Sequence, residues 1–366
     1  MRPTRDRKFL ICNFSSLATT NGDAVFSSKL VKAIESLQAV TYQNEWKTPI
    51  LPKETNLEAR TRFNEICWIP LRNLKRFFRM LQAADVIHLN PFNFSDILIS
   101  CVLMLMGKKT IFTMHANIHF KFRETVKILE NIRFLICFNF HALAVDRVAF
   151  VTRAQQQAFL RYCPWKRTVR RKAVVILNAI ESGRILDRKT RLDSSLSVLF
   201  VGRLERVKGI HDLMHAAKQV EREDIFFFVA GRGDLAPDAS VSAKISFLGS
   251  VPNEELDAVY DRSDILIVPS YTESFSIVIL EAMSRGLAIL SSDLPCIREF
   301  LQEGRNAYFF PAGDVEAMTA KLLKLHRDRQ DLARIGENNL WDARKFTVEN
   351  QARQYHRLYE ELASHD

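Results

Sequence analysis

Short apolar runs alternate with longer amphipathic segments along the whole chain, and this pattern predicts strands alternating with helices. We predict eleven strands, at 9–13, 86–89, 110–113, 148–152 and 174–177 in the first half and at 198–201, 226–229, 245–248, 265–268, 288–291 and 308–310 in the second. Because strands that alternate with helices form parallel sheets, the predicted fold class is α/β.

A polar segment, 178–193, separates the two sets of strands. A chain of 366 residues is long enough for two domains, each with its own core. We therefore predict two doubly wound domains, over residues 1–185 and 186–345, and a final helix within 346–366 that packs back on the N-terminal domain. Parallel sheets bind ligands at the carboxyl ends of their strands, so we expect an active site in a central cleft that both domains face.

The segment 269–287 contains two carboxylates eight residues apart, Glu273 and Glu281. A predicted strand ends just before it, and an apolar helix is predicted to start near Ser276. Carboxylates accept hydrogen bonds from the paired hydroxyls of sugars and ribose, and phosphates fit the N–H groups at the start of a helix. The segment therefore predicts a nucleotide-sugar site.

A basic loop in the same half, 202–209, carries Arg203 and Lys208 close to a helix predicted from Ile210. Arginine offers a forked donor and lysine a compact charge, so the two together suit a diphosphate leaving group. A basic loop alone is more often a solvated turn. Its occurrence alongside Glu273 favours the phosphate role.

Three further features each allow two interpretations. Gly231 and Gly233 follow a strand, and they either let backbone approach a nucleotide or form a plain turn. Gly22 either brings backbone near a phosphate or acceptor, or belongs to a helix cap with Asp23. His115 ends a strand, where a single histidine is either structural or faces the expected cleft as a functional group.

Charge is distributed unevenly along the chain. The net charge is +10 overall, but residues 1–190 carry +17 and residues 191–366 carry −7. The first half is therefore expected to meet an anionic partner. It contains no recognisable nucleic-acid-binding module, so we expect an acidic glycan or an anionic membrane rather than nucleic acid.

Basic residues cluster in two stretches of the first half. A predicted amphipathic helix over 70–83 either lies on a membrane or packs on the sheet with a solvated basic side, and 164–172 combines an interfacial tryptophan with cations. A third stretch, 134–140, is apolar on nearly all sides, which predicts a buried helix with one side available to lipid. The candidate membrane or acceptor residues are Arg72, Lys75, Arg76, Arg79, Trp165, Lys166, Arg167, Arg170 and Arg171.

The composition predicts a cytoplasmic protein. The six cysteines are scattered, which indicates free thiols in a reducing compartment. The basic N-terminus runs into a strand pattern without a signal-peptide core, and the longest apolar run is shorter than the roughly 20 residues that span a bilayer. No Asp-x-Asp or His/Cys spacing typical of a metal site is present, so no metal or other cofactor is expected.

The chain resembles the retaining glycosyltransferases of family 4, which have the GT-B fold. In the second half the resemblance rests on the Gly-Arg…Lys-Gly loop at 202–209, Gly-x-Gly at 231–233, Phe-Leu-Gly at 247–249, Pro-Ser…Glu-x7-Glu at 269–281 and the segment from Gly304 to Asp314. In the first half it rests on the loop with Gly22, Thr-x-His at 113–115, Asp146 before a strand and Asn-Ala-Ile-Glu at 178–181.

The resemblance implies roles for individual residues. Glu273 would contact hydroxyls of the transferred sugar, Glu281 those of the ribose, and His115 would approach the donor sugar. Serines replace the glycines that the family usually has at 274 and 276, so we expect a narrower sugar pocket. The implied catalytic residues are His115, Glu273, Lys208 and Arg203, and the implied donor-binding residues are Gly22, Arg203, Lys208, Gly231, Gly233, Glu273, Ser274, Phe275, Ser276, Ile277 and Glu281.

The implied activity is metal-independent transfer of a sugar, with retention, from a nucleoside-diphosphate sugar to a hydroxyl group. The basic first half leads us to expect a glycan or glycolipid acceptor on an anionic membrane, with the protein peripheral on the inner face of the cell membrane. An alternative is a non-catalytic member that binds a nucleotide sugar or scaffolds a glycan assembly complex. The four residues Arg203, Lys208, Glu273 and Glu281 argue against that alternative.

Overall fold

The structure, a computed structural model, describes residues 9–13, 81–90, 95–115, 125–185, 195–233 and 244–364. The chain divides into two compact units. Unit 1 comprises Met1–Ile176 together with Val348–Asp366, and unit 2 comprises Leu177–Thr347.

In unit 1 the described residues form a parallel sheet of five strands in the order β1-β2-β3-β4-β5. The strands are β1 (Phe9–Asn13), β2 (Val86–Asn90), β3 (Lys109–Met114), β4 (Arg147–Phe150) and β5 (Ala173–Val175). The described helices of this unit are α1 (Ser95–Leu105), α2 (Thr125–Ala144), α3 (Arg153–Tyr162), α4 (Lys166–Lys172) and, at the end of the chain, α11 (Val348–Ser364).

The part of unit 2 that the structure describes contains a parallel sheet of six strands in the order β11-β10-β9-β6-β7-β8. The strands are β6 (Leu196–Val201), β7 (Ile225–Ala230), β8 (Ile245–Gly249), β9 (Ile265–Val268), β10 (Ala288–Ser292) and β11 (Ala307–Phe310). The helices are α5 (Ile210–Gln219), α6 (Asn253–Asp261), α7 (Ile277–Ser284), α8 (Pro295–Arg298), α9 (Val315–Arg327) and α10 (Arg329–Ala343).

The prediction of an α/β fold with two parallel sheets is confirmed, and each of the eleven predicted strands has its counterpart within a few residues of the expected bounds. Central strands of each sheet are buried. Leu199, Leu266 and Ile289 on three adjacent strands of unit 2 are fully buried, as are Phe112 and Phe150 in unit 1. Burial on both faces explains why these strands read as continuous apolar runs.

The boundary between the units differs from the predicted one at 185/186. Ile180 forms a parallel bridge with Thr347, and the guanidinium of Arg184 contacts carboxylates of Asp257 and Glu281. These contacts join the start of the polar segment 178–193 to unit 2. They could not be predicted from the sequence, because each partner lies far away along the chain.

In each sheet, an aspartate just before one strand forms two hydrogen bonds with a residue of the neighbouring strand. Asp146, just before β4, donates its N–H to the carbonyl of Thr110 and accepts the Thr110 N–H at 2.7 Å. Asp264, just before β9, makes the equivalent pair of bonds with Ser197, with the N–H to carboxylate bond at 2.8 Å. Each aspartate therefore fixes the start of its strand against the neighbouring strand. Asp146 thus has a structural role.

Part of the predicted acceptor region lies outside the described residues. This applies to Gly22, Arg72, Lys75, Arg76 and Arg79. Among the described cysteines, Cys101, Cys163 and Cys296 are free thiols.

Candidate active site

The loops predicted to bind the donor leave the sheet of unit 2 where its strand order reverses. From β6 the strands β7 and β8 follow one another toward one edge of the sheet. The chain then returns to the other side of β6, where β9, β10 and β11 follow one another toward the opposite edge. Open α/β sheets bind ligands at such a switch point, just beyond the carboxyl ends of the strands. The loops after β6 and β9 therefore occupy the expected position for a ligand site.

Close backbone contacts hold these two loops together. Gly209 adopts a left-handed conformation with φ of +71°, and a Cβ at this position would lie 1.9 Å from the carbonyl oxygen of Pro269. The N–H of Tyr271 donates to the carbonyl of Val207 at 2.9 Å. Only glycine allows this approach, so the two loops are fixed side by side before any ligand arrives.

An ion pair joins the two loops at the predicted diphosphate and sugar positions. The ammonium of Lys208 lies 2.6 Å from Oε1 of Glu273, and the hydroxyl of Ser270 donates to the same oxygen at 2.8 Å. Both charged side chains are largely buried. The structure thus brings a cation suited to phosphate and a carboxylate suited to hydroxyl groups into direct contact.

The Glu273 loop is anchored on its other side by Cys296, the second residue of α8. The Cys296 thiol donates to the carbonyl of Glu273 at 3.2 Å. Burial, together with the nearby Glu273 carboxylate, raises the pKa of this thiol to about 12. The thiol therefore stays protonated at neutral pH and can act as a donor.

Glu281 lies on α7 within a second network. Its Oε1 accepts from Arg184 at 3.2 Å, and its Oε2 accepts from the hydroxyl of Tyr260 at 2.9 Å. Arg184 also contacts Asp257, which in turn pairs with Arg285 at 2.7 Å. Burial, followed by the Glu281 carboxylate, raises the pKa of Tyr260, so the phenol remains a donor. Two donors from different elements thus orient the Glu281 carboxylate.

The sequence predicts that Arg203 and Lys208 together hold a diphosphate. In the described contacts the two side chains have different partners. The Arg203 side chain is 70% exposed, and its guanidinium pairs with Glu205 at 2.5 Å. An exposed pair between residues two apart is easily exchanged for another partner. The role of Arg203 at a diphosphate remains a prediction.

Packing between neighbouring loops accounts for the two glycines after β7. A Cβ on Gly231 would lie 1.8 Å from the carbonyl oxygen of Gly202, and one on Gly233 would lie 2.3 Å from that of Leu204. The N–H of Leu204 donates to the carbonyl of Arg232 at 2.9 Å. The glycines are thus needed for the loops after β6 and β7 to touch, while a nucleotide contact there remains a prediction.

The residues between Glu273 and α7 differ in the direction of their side chains. Phe275 is buried and its ring stacks on Phe300 at a centroid distance of 5.0 Å, so its side chain belongs to the core. Ser276 is buried at the N-cap of α7, and Ile277 is partly exposed. Ser274 lies half-buried in the loop itself. The groups of this segment best suited to bind an anion are therefore its backbone N–H groups.

His115 follows directly after β3 in unit 1 and is half-buried. Among the described residues there is no group of three or more histidine, cysteine, aspartate or glutamate side chains placed to hold a metal ion. Sequence reasoning missed Arg184, Tyr260, Ser270 and Cys296. Of these, only Ser270 had a signal, since it belongs to the Pro-Ser pair that ends β9.

Residues 184–340 match the family model described as Glycosyl transferases group 1. The matched segment lies within unit 2. It includes all of the loops described above, from Gly202 to Cys296, together with Arg184 and both acids of the Glu-x7-Glu pattern.

Part of the chain is similar to curated glycosyltransferases. The D-inositol 3-phosphate glycosyltransferase of Corynebacterium efficiens is 32% identical over 182 residues, which cover 46% of this chain and 43% of the relative. The phosphatidyl-myo-inositol mannosyltransferase of Mycobacterium leprae is 31% identical over 176 residues, which cover 46% of this chain and 47% of the relative. Each match thus spans less than half of the relative.

Solved structures resemble the whole chain in fold. Sucrose-phosphate synthase from Thermosynechococcus elongatus has a TM-score of 0.73 at 19% identity and covers 99% of this chain and 100% of its own. Anabaena HepE in complex with UDP-glucose has a TM-score of 0.68 at 15% identity and covers 97% of this chain and 99% of its own. These likenesses extend beyond residues 184–340 and show the GT-B fold expected from the sequence.

Within the part of the chain that the structure describes, no helix combines the length and the apolar character needed to cross a bilayer.

Proposed function

We propose that the protein is a retaining, metal-independent glycosyltransferase that moves a hexosyl group from a nucleoside-diphosphate sugar to a hydroxyl of a membrane-associated glycan. The observation that carries this proposal is the Lys208–Glu273 pair at the switch point of the unit 2 sheet, within the segment that matches the Glycosyl transferases group 1 model. The pair joins a cation that suits a leaving diphosphate to a carboxylate that suits sugar hydroxyls.

In this proposal the donor lies along the loops after β6 and β9. Lys208 turns from Glu273 to the diphosphate, Glu273 accepts hydroxyls of the transferred sugar, and Glu281 accepts those of the ribose. The amide groups at the start of α7 add to the positive potential at the phosphates. The Anabaena structure with UDP-glucose, of the same fold, supports a donor of this chemical class.

The reaction breaks the bond between the anomeric carbon and the diphosphate oxygen. The acceptor oxygen forms its bond to the same carbon on the face that the diphosphate leaves, and the acceptor proton passes to a diphosphate oxygen. Negative charge develops on the diphosphate as the bond breaks. Lys208 stabilises that charge, which is commonly the largest contribution that a preorganised site makes to catalysis.

A donor panel tests the transfer activity. The purified protein is incubated with nucleoside-diphosphate sugars and total membrane glycolipid, and release of nucleoside diphosphate is measured with and without a chelator. We expect release with one donor class, dependent on acceptor and insensitive to the chelator, and a product with the anomeric configuration of the donor. An inverted product or chelator-sensitive turnover contradicts the corresponding part of the proposal.

The same panel separates the alternative function. A non-catalytic nucleotide-sugar-binding protein or scaffold binds a donor in calorimetry but releases no nucleoside diphosphate with any acceptor. Binding without turnover therefore favours the scaffold, and an absence of binding to every donor removes both functions.

The membrane part of the proposal is supported by an apolar and basic surface on unit 1. Phe140 near the end of α2 and Trp165 at the start of α4 lie with ring centroids 5.9 Å apart, and they are 46% and 38% exposed. Ile136, one turn before Phe140, is 43% exposed. Trp165 shares a helical stripe with the buried Val169, so α4 is anchored while the tryptophan ring remains accessible.

Cations surround this apolar surface. The exposed basic residues of α4 are Lys166, Arg167, Arg170 and Arg171. Lys172 instead donates to the carbonyls of Leu143 and Val145 and so ties α4 to the end of α2. Interfacial aromatic rings beside exposed cations suit the headgroup region of an anionic bilayer, where charge attraction and apolar burial act together.

Vesicle flotation tests this surface independently of activity. We expect the protein to float with vesicles that contain phosphatidylglycerol, less so with pure phosphatidylcholine, and less so at high salt because screening weakens exposed charges. The single variant Trp165→Ala should reduce flotation several-fold. The triple variant that combines Arg167→Gln, Arg170→Gln and Arg171→Gln should do the same. Trp341→Ala is the matched control, since Trp341 is 63% exposed with Arg344 beside its ring but lies in unit 2. An equal loss in the control contradicts the assignment.

A further inference from the structure

A buried chain of hydrogen bonds links the C-terminal helix to β3, the strand that ends just before His115. The hydroxyl of Tyr359 lies 2.6 Å from Nδ1 of His88, and Nε2 of His88 lies 2.6 Å from the hydroxyl of Thr113. That hydroxyl also lies 3.1 Å from the hydroxyl of Tyr355. We call these four residues, Tyr359, His88, Thr113 and Tyr355, the His88 chain; all four are buried.

The sequence of α11 explains why two tyrosines reach the same strands. Gln351, Tyr355, Leu358, Tyr359 and Leu362 are buried and recur at helical spacing, so they form one buried stripe on the face that packs against the sheet of unit 1. The two phenols extend from this stripe to β2 and β3. The His88 ring lies against both of their rings, with centroid distances of 5.0 and 5.8 Å.

A neutral imidazole at the centre of the His88 chain orders its hydrogen bonds. Burial, together with the nearby His115, lowers the pKa of His88 to about 3. One ring nitrogen then donates and the other accepts, so the neighbouring hydroxyls must adopt matching donor and acceptor roles. Removing one hydroxyl leaves a buried polar group without that partner, and the arrangement therefore behaves as a unit.

The backbone just before His115 is held from two sides. Thr113 is fixed through its side chain by the His88 chain, and the carbonyl of Met114 accepts from Nε2 of Gln155 at 3.1 Å. Gln155 is itself buried, and its Oε1 accepts the N–H of Val151 at 3.0 Å. Two consecutive residues are thus anchored immediately before the residue predicted to approach the sugar.

We propose that the His88 chain positions His115, so that the tyrosines of the C-terminal helix act as positioning residues for the histidine proposed to approach the donor. The inference rests on the proposed function, in which His115 has that role. It gives α11 a part in the chemistry beyond covering the sheet of unit 1. Thr113 is the decisive residue, because its hydroxyl connects His88 to Tyr355.

Thr113→Val tests the inference because it preserves the shape of the side chain and removes only the hydroxyl. We expect kcat to fall about tenfold or more, the scale expected when a group shifts by part of an ångström from its working position. Thr113→Ser, which keeps the hydroxyl, should restore most of the turnover. The affinity for nucleoside diphosphate should not change, because Lys208, Glu273 and Glu281 all lie in unit 2.

A double-mutant cycle distinguishes positioning from general destabilisation. If Thr113 acts through His115, Thr113→Val should cause no further loss of kcat in a His115→Ala background. The same fold-loss in both backgrounds, in folded protein, overturns the inference. If Thr113→Val does not fold, Tyr355→Phe replaces it, since this change keeps the ring and removes one hydroxyl of the His88 chain.

A readout without turnover separates failure of the inference from failure of the proposed function. If the wild-type protein releases no nucleoside diphosphate from any donor, the proposed function fails. The histidine ring resonances of isotope-labelled protein then still test positioning. We expect the His115 resonance to shift or broaden in Thr113→Val and to return in Thr113→Ser. An unchanged His115 resonance in Thr113→Val overturns the inference.

Discussion

The ammonium of Lys208 lies 2.6 Å from a carboxylate oxygen of Glu273, although the two residues are 65 positions apart. The pair joins two loops that leave neighbouring strands of one sheet. In the proposed reaction these groups contact different parts of the donor, so binding must exchange their mutual contact for contacts with phosphate and sugar. The ion pair thus holds both side chains in place before the donor arrives, and it gives each buried charge a partner.

Removing either member of this pair is expected to impair transfer. Lys208→Ala and Glu273→Ala should each lower kcat by about 100-fold or more, the scale for loss of one charge-stabilising group. Nucleoside diphosphate release measures the effect. Lys218→Ala and Glu254→Ala, at exposed positions on α5 and α6, are matched controls that should retain normal turnover. Near-normal turnover in both site variants would refute the proposed site.

Arg184 is expected to control nucleotide affinity through Glu281. Arg184→Gln removes the charged donor at 3.2 Å and leaves Tyr260 as the other described donor to that carboxylate. We expect the Kd for nucleoside diphosphate to rise about tenfold. This corresponds to a loss of about 1.4 kcal/mol of binding free energy, the scale of one charged hydrogen bond. Calorimetry measures the change. Arg262→Gln, at an exposed position just after α6, should bind like the wild type. Unchanged affinity in Arg184→Gln contradicts the ribose role of Glu281 or its orientation by Arg184.

The contact between the two donor loops should depend on Gly209. Gly209 and Gly304 share a φ of +71°, but a Cβ would collide with Pro269 only at Gly209 and would meet nothing within 4 Å at Gly304. Gly304→Ala therefore incurs backbone strain alone, roughly 1–2 kcal/mol, whereas Gly209→Ala should lose roughly a further 1–3 kcal/mol. Denaturant unfolding compares the two variants. Equal losses of stability indicate that the loops do not approach as described.

His88 makes the stability of unit 1 depend on pH. Its pKa is about 3 in the folded protein and about 6.5 when exposed, so the unfolded chain binds the extra proton between these values. Stability that is present above pH 6.5 is therefore lost as the pH falls toward 3. Between pH 7.5 and 5.5 we expect a loss of about 1.4 kcal/mol from this group.

Denaturant unfolding at the two pH values measures this loss. The groups that contact the His88 ring are Tyr355, Tyr359 and Thr113, which remain neutral over this range, and His115 lies near enough to lower its pKa. His88→Asn should remove most of the pH dependence at some cost in stability at pH 7.5. His211→Asn, exposed on α5 of unit 2, is the control and should keep the wild-type slope. A wild-type slope in His88→Asn shows that another group causes the acid sensitivity.

The central strands could be predicted from the sequence because they are buried on both faces and therefore appear as continuous apolar runs, as in 265–268. The positions of Glu273 before a helix and Glu281 within it followed from the same local pattern. Charge asymmetry also followed directly from composition. These features depend on neighbours in the chain, and local physical chemistry determines them.

Only the tertiary structure showed which side chains meet. Lys208 crosses 65 positions to reach Glu273, Arg184 crosses 97 to reach Glu281, and Tyr359 crosses 271 to reach His88. Such contacts depend on strand order and on the face of each helix that is buried, and neither is encoded by the spacing of residues along one segment. Thus the sequence determined which groups were available for the chemistry, and folding determined their partners.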